Sequence, residues 1–318
     1  MRGSPDSSDL VLLERGWLSS NNVLLRSTDR ARAGAGDEAG AAWALLFDSG
    51  HVRHVEQTLA LVRQALGGLP LRRLVNTHLH SDHCGGNARL QREHSLQVLV
   101  PPGHAEAVRN WDVDLLGYRP TGQICPRFVA DAVVQPGEVL SCGRWRFEAL
   151  AAPGHDPHAL IYFDAGTGVL LSGDALWRDG FGVVFPELDG ERGFADVAET
   201  LDLIERLPVS EVLPGHGGRF SDVAGALARA RSRLAQHERN PQFHARHAAK
   251  VLLKYHMMEV GCQELAALQA WLAVTPLLGS CQQRSGAAGS TLDFGLVLLD
   301  ELCRRGVLAV SDGMVHDV

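Results

Sequence analysis

The residues from Val75 to Gly86 read Val-Asn-Thr-His-Leu-His-Ser-Asp-His-Cys-Gly-Gly, and they set out the chemistry. His78 and His80 are two apart, so in extended backbone both rings point to one side. Asp82 and His83 follow where the glycines let the chain turn, and can aim at a second point a few ångströms away. Three imidazoles and a carboxylate suit zinc, and also iron or manganese. A lone histidine at a strand end is usually a packing or surface residue. Four ligand-type residues within six positions form a far more specific pattern. Further ligand types appear downstream where such a site needs them: His155 after the strand-like residues 147–151, Asp174 after 169–171, and His216 after 212–213. Each has a glycine beside it that permits a tight turn. The pattern places all seven at the C-terminal ends of strands, where α/β sheets commonly hold ligands.

This series resembles the metallo-β-lactamase superfamily, whose five motifs are matched in order by Asp48, His78 to His83, His155, Asp174 and His216. The resemblance covers roughly the first 220 residues. It implies an αββα sandwich with two divalent metal ions at one edge, zinc first, with iron or manganese as alternatives. On that resemblance His78, His80 and His155 bind the first ion, Asp82, His83 and His216 bind the second, and Asp174 bridges them. Asp48 supports the loop without being a ligand. Asp82 and Asp174 act as the catalytic carboxylates that hold or orient the nucleophile. An aspartate stands where the dinuclear β-lactamases carry cysteine, so the chain looks closer to the glyoxalase II, lactonase and RNA-processing branches. The implied reaction is hydrolysis of an ester, thioester or lactone by water activated between the ions, since zinc lowers the pKa of bound water to ~7. The alternatives are a phosphodiesterase or ribonuclease of the same fold, and a mononuclear-iron sulfur dioxygenase. Retention of Asp82, His83 and His216 speaks against the last. No Gly-x-Ser-x-Gly elbow suggests a serine nucleophile.

The 318 residues are 45% hydrophobic, enough for a substantial core, and carry a formal net charge of -7. That balance disfavours nucleic acid and anionic membranes as general partners and favours a small-molecule substrate, with a homodimer as an open option. No stretch is long and apolar enough to span a bilayer. The six cysteines lack a CxxC pair and fit a reducing cytoplasm; Cys84 reads as a small packing residue.

The elements that must position the ligands alternate between strand and helix. Strands are predicted at 22–26, 42–47, 71–75, 97–100, 145–151, 159–163, 168–172 and 211–213. Helices are predicted at 52–66, 88–93, 105–110 and 194–207. Residues 1–9 form a polar, loose N-terminus, and the loop containing Ala33 to Asp37 reads as flexible. Residues 111–127 read as an irregular segment, either facing substrate or merely crossing the surface. Residues 177–186 carry apolar side chains and two glycines, and can line an acyl pocket or simply anchor a loop. His158, close behind His155, matches a second histidine that the superfamily often carries there, and reads as a structural residue or one that orients a ligand.

The domain division is 1–9, 10–220 for the sandwich and 221–318 for a smaller, mostly helical C-terminal domain. Helices at 223–237, 244–258, 263–272 and 291–304, closed by a hairpin around Asp312-Gly313, look winged-helix-like. This part is expected to tune substrate access or pairing of chains. It also holds a basic run: Arg229, Arg231, Arg233, Arg239, Arg246, Lys250 and Lys254. The first reading of that run is a solvated helix face. The functional readings are an anionic substrate tail, such as a glutathione or coenzyme A portion, or RNA phosphates.

Overall fold

The strand Trp43–Phe47 sends Trp43, Leu45 and Phe47 into one apolar cluster and Ala44 and Leu46 into another, and all five are buried. A strand covered on both faces requires a layer on each side. The computed structural model describes residues 9–28 and 42–318 and supplies those layers. The polar start up to residue 8 and the loop containing Ala33 to Asp37 lie outside the described residues.

One sheet runs in the order β1 (Leu10–Leu13), β2 (Asn22–Ser27), β3 (Trp43–Phe47), β4 (Leu71–Val75), β5 (Gln97–Val100) and β6 (Ala132–Val133). The other contains β7 (Val139–Cys142), β8 (Trp145–Ala151), β9 (Leu160–Asp164), β10 (Val169–Gly173) and β11 (Glu211–Pro214), ordered β11-β10-β9-β8-β7. Leu25, Phe47 and Val75 meet Phe147, Tyr162 and Leu171 between the sheets. Helices α1 (Val55–Leu66), α2 (Ser81–Cys84), α3 (Asn87–His94), α4 (Ala105–Asn110) and α5 (Tyr118–Thr121) lie on the first sheet's side, where Leu59, Val62, Leu90 and Val108 join its outer cluster. Helices α6 (Gly193–Arg206) and α7 (Val223–Arg239) cover the second sheet through Val197, Leu201, Ala226 and Leu234. The result is an αββα sandwich.

Strand direction brings the ligand loops together. β3 and β4 pair in parallel, as do β10 and β11, and β8 is antiparallel to β9, which is antiparallel to β10. The C-terminal ends of β8, β10 and β11 therefore emerge at one edge of their sheet, and those of β3 and β4 at one edge of theirs.

The remaining chain forms α8 (Pro241–Val260), β12 (Cys262–Glu264), α9 (Leu265–Val274), α10 (Pro276–Ser285), α11 (Thr291–Arg304) and the hairpin β13 (Leu308–Ser311) and β14 (Met314–Asp317). Asn240 ends α7 and caps α8 by accepting from the Phe243 amide, with Pro241 in the first turn, where its missing N–H costs nothing. Ser290 and Asp293 form a capping box at the start of α11. The hairpin turns through Asp312 and Gly313 at φ 50° and 75°, the left-handed pair of a type I′ turn. Leu252, Leu268, Leu278 and Leu298 pack together, and Val183, Phe185 and Leu188 from the segment after β10 join them. Because α7 packs with α6, the change of packing partner comes at Asn240-Pro241 rather than at Ser221. No helix among the described residues is long and apolar enough to cross a membrane.

Candidate metal centre

The seven candidates converge as two groups. His78, His80 and His155 form one, and Asp82, His83, Asp174 and His216 the other; within each, one donor atom per residue lies within 4.8 Å of the rest. All but His80 are buried.

The hydrogen bonds around the first group fix which ring nitrogen faces inward. Thr77 Oγ1 donates to Asp48 Oδ2 at 2.8 Å, so toward His78 Nδ1, 3.1 Å away, it can only accept. His78 therefore carries its proton on Nδ1 and turns a lone pair inward from Nε2. His155 Nδ1 donates to the Val183 carbonyl at 2.6 Å, leaving its Nε2 lone pair inward as well. His80 Nδ1 lies 3.1 Å from the first of these and 2.8 Å from the second. Three imidazole nitrogens aimed at one another, two with their protons spent elsewhere, form a donor set for a cation.

In the second group His83 Nδ1 donates to Asp48 Oδ2 at 2.8 Å, which aims Nε2 at Asp174 Oδ1, 3.3 Å away. That buried Nε2 has no well-formed hydrogen bond. His216 Nε2 lies 2.9 Å from Asp82 Oδ2. Asp174 stands between the groups: Oδ1 faces His83, while Oδ2 is 3.5 Å from His155 and 3.8 Å from His216. Trp177 Nε1 donates to Asp174 Oδ1 at 3.2 Å, and Trp17 stacks on His216 at 5.6 Å between centroids. Asp48 holds the loop from a left-handed backbone (φ 55°), accepting from the Thr77 amide as well as from His83 and Thr77 Oγ1. Gly215 is required by close approach, since a Cβ there would lie 2.2 Å from Asp174 Oδ1 and 2.9 Å from His83 Cε1.

The electrostatics match this division. Burial, then the neighbouring His83 and His80, holds the His78 imidazole far below its ordinary pKa. Burial and His155 hold His80 at about 4 against the pull of Asp156. Both are thus neutral and able to ligate. Burial pushes the Asp82 carboxyl upward, but His83 and the His216 hydrogen bond outweigh it and hold Asp82 at about 2. Asp174 is likewise kept well below the carboxylate range, burial being overcome by His216 and His83. Burial disfavours a charged His83, yet Asp174, Asp48 and Asp82 raise it well above its usual value. Three carboxylates around one ring call for positive charge at that point. The residues fit two divalent ions, with donor types suited to zinc, iron or manganese.

The neighbours of the ligands play mixed parts. His158 takes the structural one of its two readings, its ring packing against Gly103 and edge-on to His104. Asp156 sits nearer the site, buried, with Oδ2 3.5 Å from His104 Nε2 and 4.0 Å from His80 Nε2. Its position directly after His155 was the signal that could have found it. Cys84 is a packing residue, fully buried and 3.1 Å from the Tyr118 hydroxyl. The Trp177 to Pro186 segment does line the site, through Trp177, Phe181, Val183 and Phe185. Residues 111–127 contribute Gln123 to it.

Above the ligands lies a cavity of about 450 Å³. His80, Asp82, His155, Asp174 and His216 form one end, and the C-terminal part closes the other with Tyr255, Met258, Leu302 and Val307. Tyr255 was not expected: its hydroxyl is 2.6 Å from Ser81 Oγ, between the ligands His80 and Asp82.

A family model described as the metallo-beta-lactamase superfamily matches residues 41–216, more than half of the chain and the whole span from before Asp48 to His216. The chain belongs to that superfamily. Hydroxyacylglutathione hydrolase of Bdellovibrio bacteriovorus is 29% identical over 140 residues, 44% of this chain and 46% of that protein. Acyl-coenzyme A thioesterase MBLAC2 of Homo sapiens is 28% identical over 162 residues, 46% of this chain and 56% of that protein. The chain thus matches about half the length of these curated relatives. A metallo-beta-lactamase family protein from Thermus thermophilus shares the fold over 98% of this chain and 99% of its own, at 20% identity and a TM-score of 0.55.

Proposed function

We propose that the protein hydrolyses acyl thioesters with two divalent ions held by the His78–His80–His155 and Asp82–His83–Asp174–His216 groups. The observation that carries this reading is the cavity, where paired ligand groups open beneath apolar walls from Phe181, Val183, Phe185, Leu252 and Met258. The relatives named as a glutathione thioester hydrolase and an acyl-coenzyme A thioesterase support it. A nucleic-acid strand would instead need an open basic groove with faces for base stacking.

When bound, the ions supply Lewis acidity toward the carbonyl oxygen and make a water acidic near neutral pH. The chain's own part is to position and protect. Asp48, Thr77 and the Val183 carbonyl fix the inward nitrogens of His83, His78 and His155. Trp177 steadies the Asp174 carboxylate that faces both groups. Asp82 lies at the cavity end, where its carboxylate can orient the attacking water, whose proton passes to the leaving thiolate as the C–S bond breaks. The apolar walls shelter the acyl chain and limit competing water.

The test is a panel of one acyl group presented as a thioester, an oxygen ester and a lactone, with a phosphodiester beside them, on zinc-loaded protein. A thioester kcat/KM at least ~100-fold above every other substrate is expected. Preference for the phosphodiester, or thioester turnover unaffected by chelation, overturns the proposal.

A further inference from the structure

Part of the basic run converges on the cavity. Arg233 from α7, Lys250 and Lys254 from α8, and Arg305 at the end of α11 all line it, with His247 between Arg233 and Lys250. Arg229 and Arg231 do not; they pair with Asp179 and Asp222, and with Asp202 and Glu205, on the surface. We infer that this basic rim is a subsite for the phosphate groups of a phosphorylated acyl carrier, an inference that rests on the thioester reading and names its substrate class.

The charge balance selects the ligand. Lys250 shares Glu301 with Arg246, and Lys254 pairs with Asp317. Arg233 and Arg305 have no carboxylate partner among the described residues. Four cations thus line the cavity, and the two carboxylates paired with two of them, Glu301 and Asp317, are already engaged. In a chain of net charge -7 this is a local excess of positive charge at the mouth of the site. A glutathione carrier brings an ammonium along with its carboxylates, and this rim holds no unengaged carboxylate to receive it. Phosphates bring negative charge alone, and a guanidinium presents a planar fork suited to them.

Arg233 is also seated for the task. A Cβ at Gly180 (φ +139°) would lie 2.7 Å from its Nη1 and 2.8 Å from its Cζ, so the guanidinium rests directly on the backbone of the segment that supplies Phe181. The same segment thereby furnishes apolar wall and a seat for the rim cation.

Calorimetric titration of the zinc-loaded full chain with desulfo-coenzyme A, desulfo-pantetheine and S-methylglutathione tests the inference without turnover and without a thiol that could ligate metal. Desulfo-coenzyme A should bind at least ~100-fold more tightly than desulfo-pantetheine, which lacks its adenosine phosphates. Arg233→Ala and Arg305→Ala should each weaken it roughly tenfold, as loss of a charge-assisted contact does. Arg305 is exposed, so its replacement does not threaten the fold. Arg239→Ala, an exposed cation of α7 away from the cavity, should bind like the parent. Equal affinity for the two desulfo compounds, parent-like binding by both arginine variants, or tighter binding of S-methylglutathione overturns the subsite. Failure here leaves the thioester reading to its own turnover test. Tight binding with no thioester cleaved overturns that reading while the phosphate subsite stands.

Discussion

Tyr255 of α8 places its hydroxyl 2.6 Å from Oγ of Ser81, 174 residues earlier in the chain. Ser81 Oγ donates to Gln123 Oε1 at 2.8 Å, so the tyrosine is the donor. One turn later on the same helix, Glu259 Oε1 is 3.0 Å from His51 Nε2 and accepts from the Ile124 amide at 3.0 Å. The C-terminal helix thus fastens the ligand loop, the loop after Asp48 and the 111–127 segment, a closer involvement than control of access alone.

Tyr255→Phe removes one buried donor and leaves Ser81 Oγ short of a partner. It should cost about 1–3 kcal/mol of stability. Because the lost bond orients the His80–Asp82 loop, metal affinity should also weaken roughly 10–100-fold. Thermal melting and competitive metal titration on the same sample check both. Parent-like values in both measurements would show the contact to be idle.

Asp174→Ala should abolish filling of the second site and lower thioester kcat/KM by about 10³-fold or more, since the carboxylate that faces both groups is gone. The metal-free fold should lose stability as well, because His216 and His83 favour the ionised Asp174, an effect only partly offset by relief of its repulsion with Asp82. Metal content, melting temperature and turnover measured together separate the two effects. Two retained ions with near-parent turnover would refute the role.

Gly215→Ala carries a purely steric prediction. The added methyl meets Asp174 Oδ1 and His83 Cε1, both held by their own partners. Metal binding should fall at least ~100-fold, consistent with displaced ligands. An alanine variant that still takes up two ions at parent affinity would contradict the geometry.

Acid should destabilise the metal-free protein in a defined window. His80 and His237 are held at about 4 and His244 at about 3, in each case chiefly by burial. The folded state therefore binds fewer protons than the unfolded one between the folded values and the ordinary 6.5. Stability from these groups is present above ~6.5 and is lost as pH falls toward 4. His83, shifted upward, works the other way: its contribution is full below 6.5 and fades only as pH rises through its folded value. Melting temperatures should drop between pH 6.5 and 4. A flat profile across that range would contradict the burial argument.

Much of the centre was legible because its ligands sit in short motifs at strand ends, flanked by glycines. The αββα layers were legible for a related reason: the unbroken apolar run Trp43–Phe47 calls for cover on both faces, and the alternation in Trp145–Ala151 states which face is buried. What escaped depends on distant packing. Strand β1 is half-buried throughout and shows no alternation. Cys262–Glu264 continues a helical-looking stretch, yet it pairs with β14, a partner no local pattern announces. Helix α10 contains Gly279 and Ser280, poor helix formers, and is held by Leu277, Leu278 and Cys281 in the C-terminal core. The basic run reads first as a solvated face, with an anionic substrate tail or RNA as the alternatives, and only the tertiary fold separates Arg233 and Lys250 from Arg229 and Arg231.

The central claim is that the two ligand groups hold two ions that act together on a thioester. Metal-free protein should be titrated with zinc while bound metal and thioester cleavage are followed in one experiment. Two ions per chain, with turnover completed only by the second equivalent, is the predicted result. Saturation of both signals at a single ion, or full turnover before any zinc is added, would contradict it.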